Sequence, residues 1–162
     1  MRSNTAMSVA QVLYQGVKLG VEGTVGLITY MRTDSPYVVP QAINEARDFV
    51  RNRWGDTYIP RTARKYTSRS KVAQEAHEAI RPTSIARTPE ALRQYLTPDQ
   101  FRLYELIWKR MVASQMNDAL LDSTKIVVTA AGTSGAGYEF QVTGSILKFP
   151  GYRALYIESV EG

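Results

Sequence analysis

The 162 residues are 44% hydrophobic, enough for one or two small domains with a buried core, and hold no cysteine, which excludes a disulfide framework and any thiolate metal site. A single histidine excludes a histidine-rich metal centre, and no apolar run reaches signal-peptide or membrane-spanning length, so a soluble, cytoplasmic protein is expected. The net charge of +5 is uneven: residues 1–88 hold 13 Lys/Arg against 7 Asp/Glu, whereas residues 89–162 hold 7 against 8.

Ala6, Ala10, Leu13 and Val17 recur at the spacing of one helical face, with Ser3, Asn4 or Thr5 available as a cap and Gly20 and Gly23 as stops. Gly26–Met31 (GLITYM) reads as a short strand. Pro40 suits a helix start, Ile43, Ala46, Val50 and Trp54 share a face, and Gly55 ends it. The basic run Arg61, Arg64, Lys65, Arg69 and Lys71 has no acid between Asp56 and Glu75, and Tyr58 and Tyr66 lie within it. It reads as irregular: a stretch that could track phosphates, or a solvated loop. Thr88-Pro89-Glu90 and Thr97-Pro98-Asp99 are repeated helix-opening signals, each a capping threonine, a first-turn proline and an acid. The second of these helices carries Phe101, Tyr104, Trp108 and Met111 on its inner stripe, widened by Ile107 and Val112. Thr124–Ala130 and Tyr138–Phe149 read as strands joined by the turn Gly132–Gly137. The expected fold class is α+β and mainly helical, with a helical domain over 1–120 and a β-strand segment over 121–162 that is short of partners.

Several chemistries fail on spacing. Phe140 stands where a third dinucleotide-loop glycine would be, no phosphate-loop GxxxxGK[ST] occurs, and Arg81 stands where a zinc-protease motif opening at His77-Glu78 needs its second histidine. Two strings remain. In Thr29-Tyr30-Met31-Arg32-Thr33-Asp34-Ser35, an extended backbone would aim Tyr30, Arg32 and Asp34 to one side. A phenol with a pKa near 10 is a poor nucleophile unless a cation stabilises the phenolate. Arg32 supplies that cation and can also grip a phosphate, with Asp34 to orient it. In Gln74–Thr83 (QEAHEAIRPT), His77 and Arg81 would share a face on a helical turn and both address one phosphate, with Pro82 as the stop. Taken singly, the first string is better read as a half-buried strand with an ordinary core tyrosine and a surface ion pair, and the second as a capped short helix with a surface histidine.

Together, Gly26–Ser35 (GLITYMRTDS) and Gln74–Thr83 resemble the two signature stretches of the type IA DNA topoisomerases, with similarity extending through Met7–Gly16, Leu106–Met116 and Asp122–Thr124. Met31, and Glu78-Ala79-Ile80-Arg81 after the histidine, are similar to bacterial topoisomerase I; topoisomerase III usually has proline at the first place and a second histidine at Glu78. Pro36 departs from the polar residue common there. The resemblance implies that Tyr30 attacks single-stranded DNA to form a 5′-phosphotyrosine link, that a strand passes through the gap, and that resealing relaxes negative supercoils without ATP. Arg32 matches the arginine at the scissile phosphate and His77 the nearby histidine, making these three the catalytic candidates; Thr29, Asp34 and Arg81 are further DNA-binding candidates. The same resemblance implies a monomer acting on DNA, and Mg²⁺ held by an acidic domain with no counterpart in these residues. It makes 121–162 the start of an adjoining β arch domain. This stretch alone is therefore expected to be inactive. The alternative is a non-catalytic single-stranded DNA-binding module of the same fold.

Overall fold

A computed structural model describes residues 2–66, 77–133, 135 and 137–157. It divides into two compact units, Met1–Asn117 and Asp118–Gly162. The architecture is α+β, with five α-helices and two antiparallel two-stranded sheets among the described residues. No helix among them is long and apolar enough to cross a membrane.

The first unit opens with α1, Ser3–Gln15, which buries Ala10 and Leu13. This helix is shorter than its periodicity suggests. It stops at Gly16, whose φ of 128° favours glycine, and where a Cβ would lie 2.6 Å from the Thr24 side chain. No side chain caps its start, so Ser3, Asn4 and Thr5 do not serve that role. Val17, expected on the helix, instead begins β1, Val17–Lys18, which pairs with β2, Thr24–Val25.

The strand expected over Gly26–Met31 is absent. Ile28 makes one isolated antiparallel bridge to Pro82, and the neighbouring backbone groups bond to different segments. Leu27 donates its N–H to the Leu13 carbonyl at 2.7 Å, whereas Thr29 donates to Arg81 at 2.9 Å and Thr83 donates back to Leu27 at 3.0 Å. Pro82 has no N–H to extend a ladder. The result is a stitched seam: Gly26–Thr29 lies between the end of α1 and the segment 79–83.

Helix α2, Pro40–Trp54, starts at its proline and ends at Gly55, whose φ is 91°. It buries Ala42, Ile43, Ala46 and Val50, while Trp54 remains half-buried. Thr88 caps α3, Pro89–Leu92, a single turn followed by a 3₁₀ turn. Helix α4, Pro98–Ser114, opens with a reciprocal capping box between Thr97 and Gln100 and buries Tyr104, Trp108, Met111 and Val112. Trp108 meets Phe49 of α2 edge to face at 5.1 Å and donates its indole N–H to the Ile85 carbonyl at 2.9 Å. The Tyr104 hydroxyl donates to the Arg87 carbonyl at 2.6 Å. Glu45 of α2 accepts from the Ser84 hydroxyl and the Ile85 amide, both at 2.7 Å. These bonds fasten segment 84–87 across α2 and α4. Arg61, Arg64 and Lys65 of the basic run lie in irregular backbone, while Arg69 and Lys71 fall outside the described residues.

In the second unit, β3, Leu120–Ala131, pairs along its length with β4, Gly137–Phe149, with one register shift near Leu120. Both strands run beyond their expected limits at the N-terminal end. Nearly every position is exposed on both faces. A 3₁₀ turn and α5, Ala154–Ile157, follow.

Candidate functional site

The seam places the two sequence strings side by side. Thr29 sits at its end, and its hydroxyl donates to the Ala79 carbonyl at 2.7 Å and accepts from the Arg81 amide at 3.0 Å. Eight residues on, the Tyr37 carbonyl accepts from the Ala79 amide at 2.7 Å. Residues 30–36 therefore form a loop tied down at both ends against one short segment. Within it the Arg32 amide bonds to the Tyr30 carbonyl at 2.8 Å, and the chain bends at Thr33 and Asp34. The loop is not a paired strand beyond Thr29, although Arg32 and Asp34 still meet side by side.

Tyr30 is 53% exposed, and its hydroxyl has no hydrogen-bond partner among the described residues. Its ring meets that of Tyr14, from the last turn of α1, edge to face at 5.3 Å. Arg32 is held on two sides: Nε pairs with Asp34 at 3.1 Å, and Nη1 lies 3.1 Å from His77 Nε2. A guanidinium can only donate, so this contact requires His77 Nε2 to accept, which puts the ring proton of a neutral imidazole on Nδ1. Nη2 of Arg32 is unengaged among the described residues and remains able to donate. An exposed phenol, a braced guanidinium and an imidazole thus occupy one loop and the segment beside it, although 45 positions separate Arg32 from His77 in sequence.

Arg81 has a different setting from the one its sequence position suggested. Residues 77–80 are not helical, so His77 and Arg81 do not share a helical face. The backbone there is irregular, with a bend at Ile80, and the Ala79 and Arg81 amides bond to Tyr37 and Thr29 rather than within a helical turn. Arg81 Nε and Nη2 instead grip the Glu78 carboxylate in a fork, at 2.6 and 3.0 Å, and Nη1 donates to the Pro82 carbonyl. Glu78 also accepts from the Val39 amide at 3.0 Å, just before α2. Each terminal nitrogen of Arg81 is therefore committed inside the protein, and Thr29 likewise spends its hydroxyl on the seam. Both residues tie the loop to the segment beside it.

Two participants carried no role from sequence. Glu78 enters the sequence reading only within its motif strings, with no role of its own. Tyr14 was passed over because it lies off the apolar face of α1.

These acids do not form a magnesium site. Asp34 is engaged by Arg32 and Glu78 by Arg81, and among the described residues no group of three or more His, Asp or Glu is placed to hold an ion.

Comparison with known proteins gives this geometry its family. The chain is 47% identical over 152 residues to DNA topoisomerase 1 of two Xylella fastidiosa strains, Temecula1 and 9a5c, a match that covers 94% of the chain and 18% of each relative. It also resembles the full-length topoisomerase I structure from Thermotoga maritima, with 39% identity and a TM-score of 0.74, covering 93% of the chain and 22% of that protein. The chain thus spans about a fifth of the length of these relatives. The family described as DNA topoisomerase matches residues 1–162, and the chain belongs to that family.

Proposed function

We propose that this chain is the nucleophile-bearing part of a longer bacterial type IA topoisomerase, an isomerase that relaxes negatively supercoiled DNA in the cytoplasm by breaking one strand at a time. The observation that carries this reading is the exposed Tyr30, whose hydroxyl has no partner among the described residues, in one loop with an arginine braced by His77 and Asp34. The phenol oxygen bonds to a backbone phosphorus as the bond to the 3′ oxygen breaks. The product is a 5′-phosphotyrosine and a free 3′-hydroxyl, which takes up the equivalent of the proton lost by the phenol. Reversal reseals the strand, so the phosphodiester energy is conserved and no ATP is required.

Arg32 stabilises the charge that develops on the phosphate, through the donor that its partners leave open. His77 holds Arg32 in place and keeps its other ring nitrogen as a group that can carry a proton. Asp34 sets the guanidinium plane; Thr29, Glu78 and Arg81 fix the loop. Magnesium dependence is expected to come from carboxylates beyond these residues. By the family resemblance, the substrate is single-stranded DNA and the acting species a monomer.

In the full-length enzyme, Tyr30→Phe is expected to abolish both the covalent adduct on a labelled single-stranded oligonucleotide and plasmid relaxation. Folding should shift by no more than about 1 kcal/mol, the scale of one hydrogen bond. An adduct that persists on another tyrosine would overturn the assignment.

A further inference from the structure

The loop backbone is fixed by the seam, but the Tyr30 side chain is not: among the described residues its hydroxyl has no partner, and its ring is half-exposed. Its one ring contact among the described residues is Tyr14, edge to face at 5.3 Å and 65°. Such pairs have a preferred geometry, so the contact restricts the rotation of the Tyr30 ring as well as its height.

The two tyrosines are also locked together through the backbone. Leu27 bonds to the Leu13 carbonyl, one residue before Tyr14 and three before Tyr30. A Cβ at Gly26 would sit 2.8 Å from the Tyr14 carbonyl oxygen, closer than real side chains approach. The chain therefore leaves α1 in direct backbone contact, and glycine at 26 is what permits it. A short, rigid stem connects the end of α1 to the attacking residue.

Resting on the nucleophile reading above, we propose that Tyr14 is a positioning residue: its ring, not its hydroxyl, holds the Tyr30 phenol in the orientation from which it reaches phosphorus. Without it the phenol samples other rotamers, and cleavage slows in proportion to the lost population.

The test uses the full-length enzyme with Tyr14→Phe, Tyr14→Leu and Tyr14→Met. Three quantities are measured: single-turnover adduct formation on a single-stranded oligonucleotide, affinity for that oligonucleotide in a Tyr30→Phe background, and the unfolding midpoint. Leu and Met both suit a helix at this 40%-exposed position, so folding should survive. The expected result is a roughly three- to tenfold slower cleavage for Leu and Met, with affinity unchanged and full rate restored by Phe. Should Leu alone lower the unfolding midpoint, the Met rate decides. Equal rates for all variants, a Phe variant as slow as Leu, or a loss confined to affinity would each overturn the proposal. Tyr30→Phe in the same assay separates the two readings. An adduct there sinks the nucleophile itself, whereas full speed in Tyr14→Leu with Tyr30 still essential sinks only the positioning role.

Discussion

Tyr104 and Phe140 are aromatic residues of similar size in the two units, and they meet opposite surroundings. Tyr104 is fully buried on α4, whereas Phe140 on β4 is 64% exposed. The contrast extends to their neighbours. Apolar side chains of α1, α2 and α4 close over one another, while Ile126, Val127 and Val128 stand in open succession on β3. Helical spacing gathers apolar residues onto one stripe that three helices can share. Consecutive apolar residues on a strand face both ways, and a lone two-stranded ladder can bury neither side. The helical unit therefore has the means to hold a site rigidly, and the hairpin by itself does not.

The most severe way to break this comparison is to hollow the helical core. Trp108→Ala removes a ring that is 4% exposed, its contact with Phe49 and the bond that satisfies the Ile85 carbonyl. A loss of roughly 3–5 kcal/mol is expected, a large share of the stability of a domain this size. Denaturant unfolding followed by helical circular dichroism would measure it. A loss below about 1 kcal/mol would mean the core is not what holds α2 and α4 together.

A gentler test uses Tyr104, whose hydroxyl reaches the Arg87 carbonyl from within the core. Tyr104→Phe should cost about 1 kcal/mol at neutral pH. Burial is the main reason that the Tyr104 phenol is pushed well above its ordinary value, with Glu45 adding to the shift and Arg87 opposing it. The folded state therefore keeps a proton that the unfolded chain releases near pH 10, and stability falls as pH rises beyond that point. The Phe variant should show a shallower decline above pH 10. Equal slopes would mean that Tyr104 does not carry the alkaline sensitivity.

How legible each region was in sequence follows the same physics. Helices α2 and α4 were readable because proline, threonine and glycine signals act within a few residues, and because burial recurs at helical spacing. The hairpin was readable from its apolar runs and glycine-rich turn. Gly26–Met31 was misread as a strand because its hydrogen-bond partners, Leu13 and Arg81–Thr83, lie on two separate segments. Within the site, the residue types of Tyr30, Arg32 and His77 drew notice through two strings that resemble a family. Their contact spans 45 positions and no local rule predicts it. The commitment of Arg81 to Glu78 was hidden for a related reason: the helical reading of 77–81 paired Arg81 with His77, whereas in the irregular backbone there it pairs with Glu78.

The smallest expected effect sharpens the contrast most. Phe140 lies directly across from Val128 in the ladder, yet both are more than half exposed. Phe140→Ser removes one cross-strand pair, worth about 0.2–1 kcal/mol to the hairpin, and no buried contact. Both tryptophans of the chain, Trp54 and Trp108, belong to the helical unit, so tryptophan fluorescence follows the unfolding of that unit alone. Its midpoint should therefore stay within about 0.5 kcal/mol of the unsubstituted protein, as for surface changes generally. Circular dichroism in the strand region should register the loosened hairpin instead. If the fluorescence midpoint fell as far as for Tyr104→Phe, the two units would be unfolding as one, and the stability of the tyrosine loop would depend on strands far from it in sequence. If only the strand signal moved, the helical unit would be carrying Tyr30 on its own core.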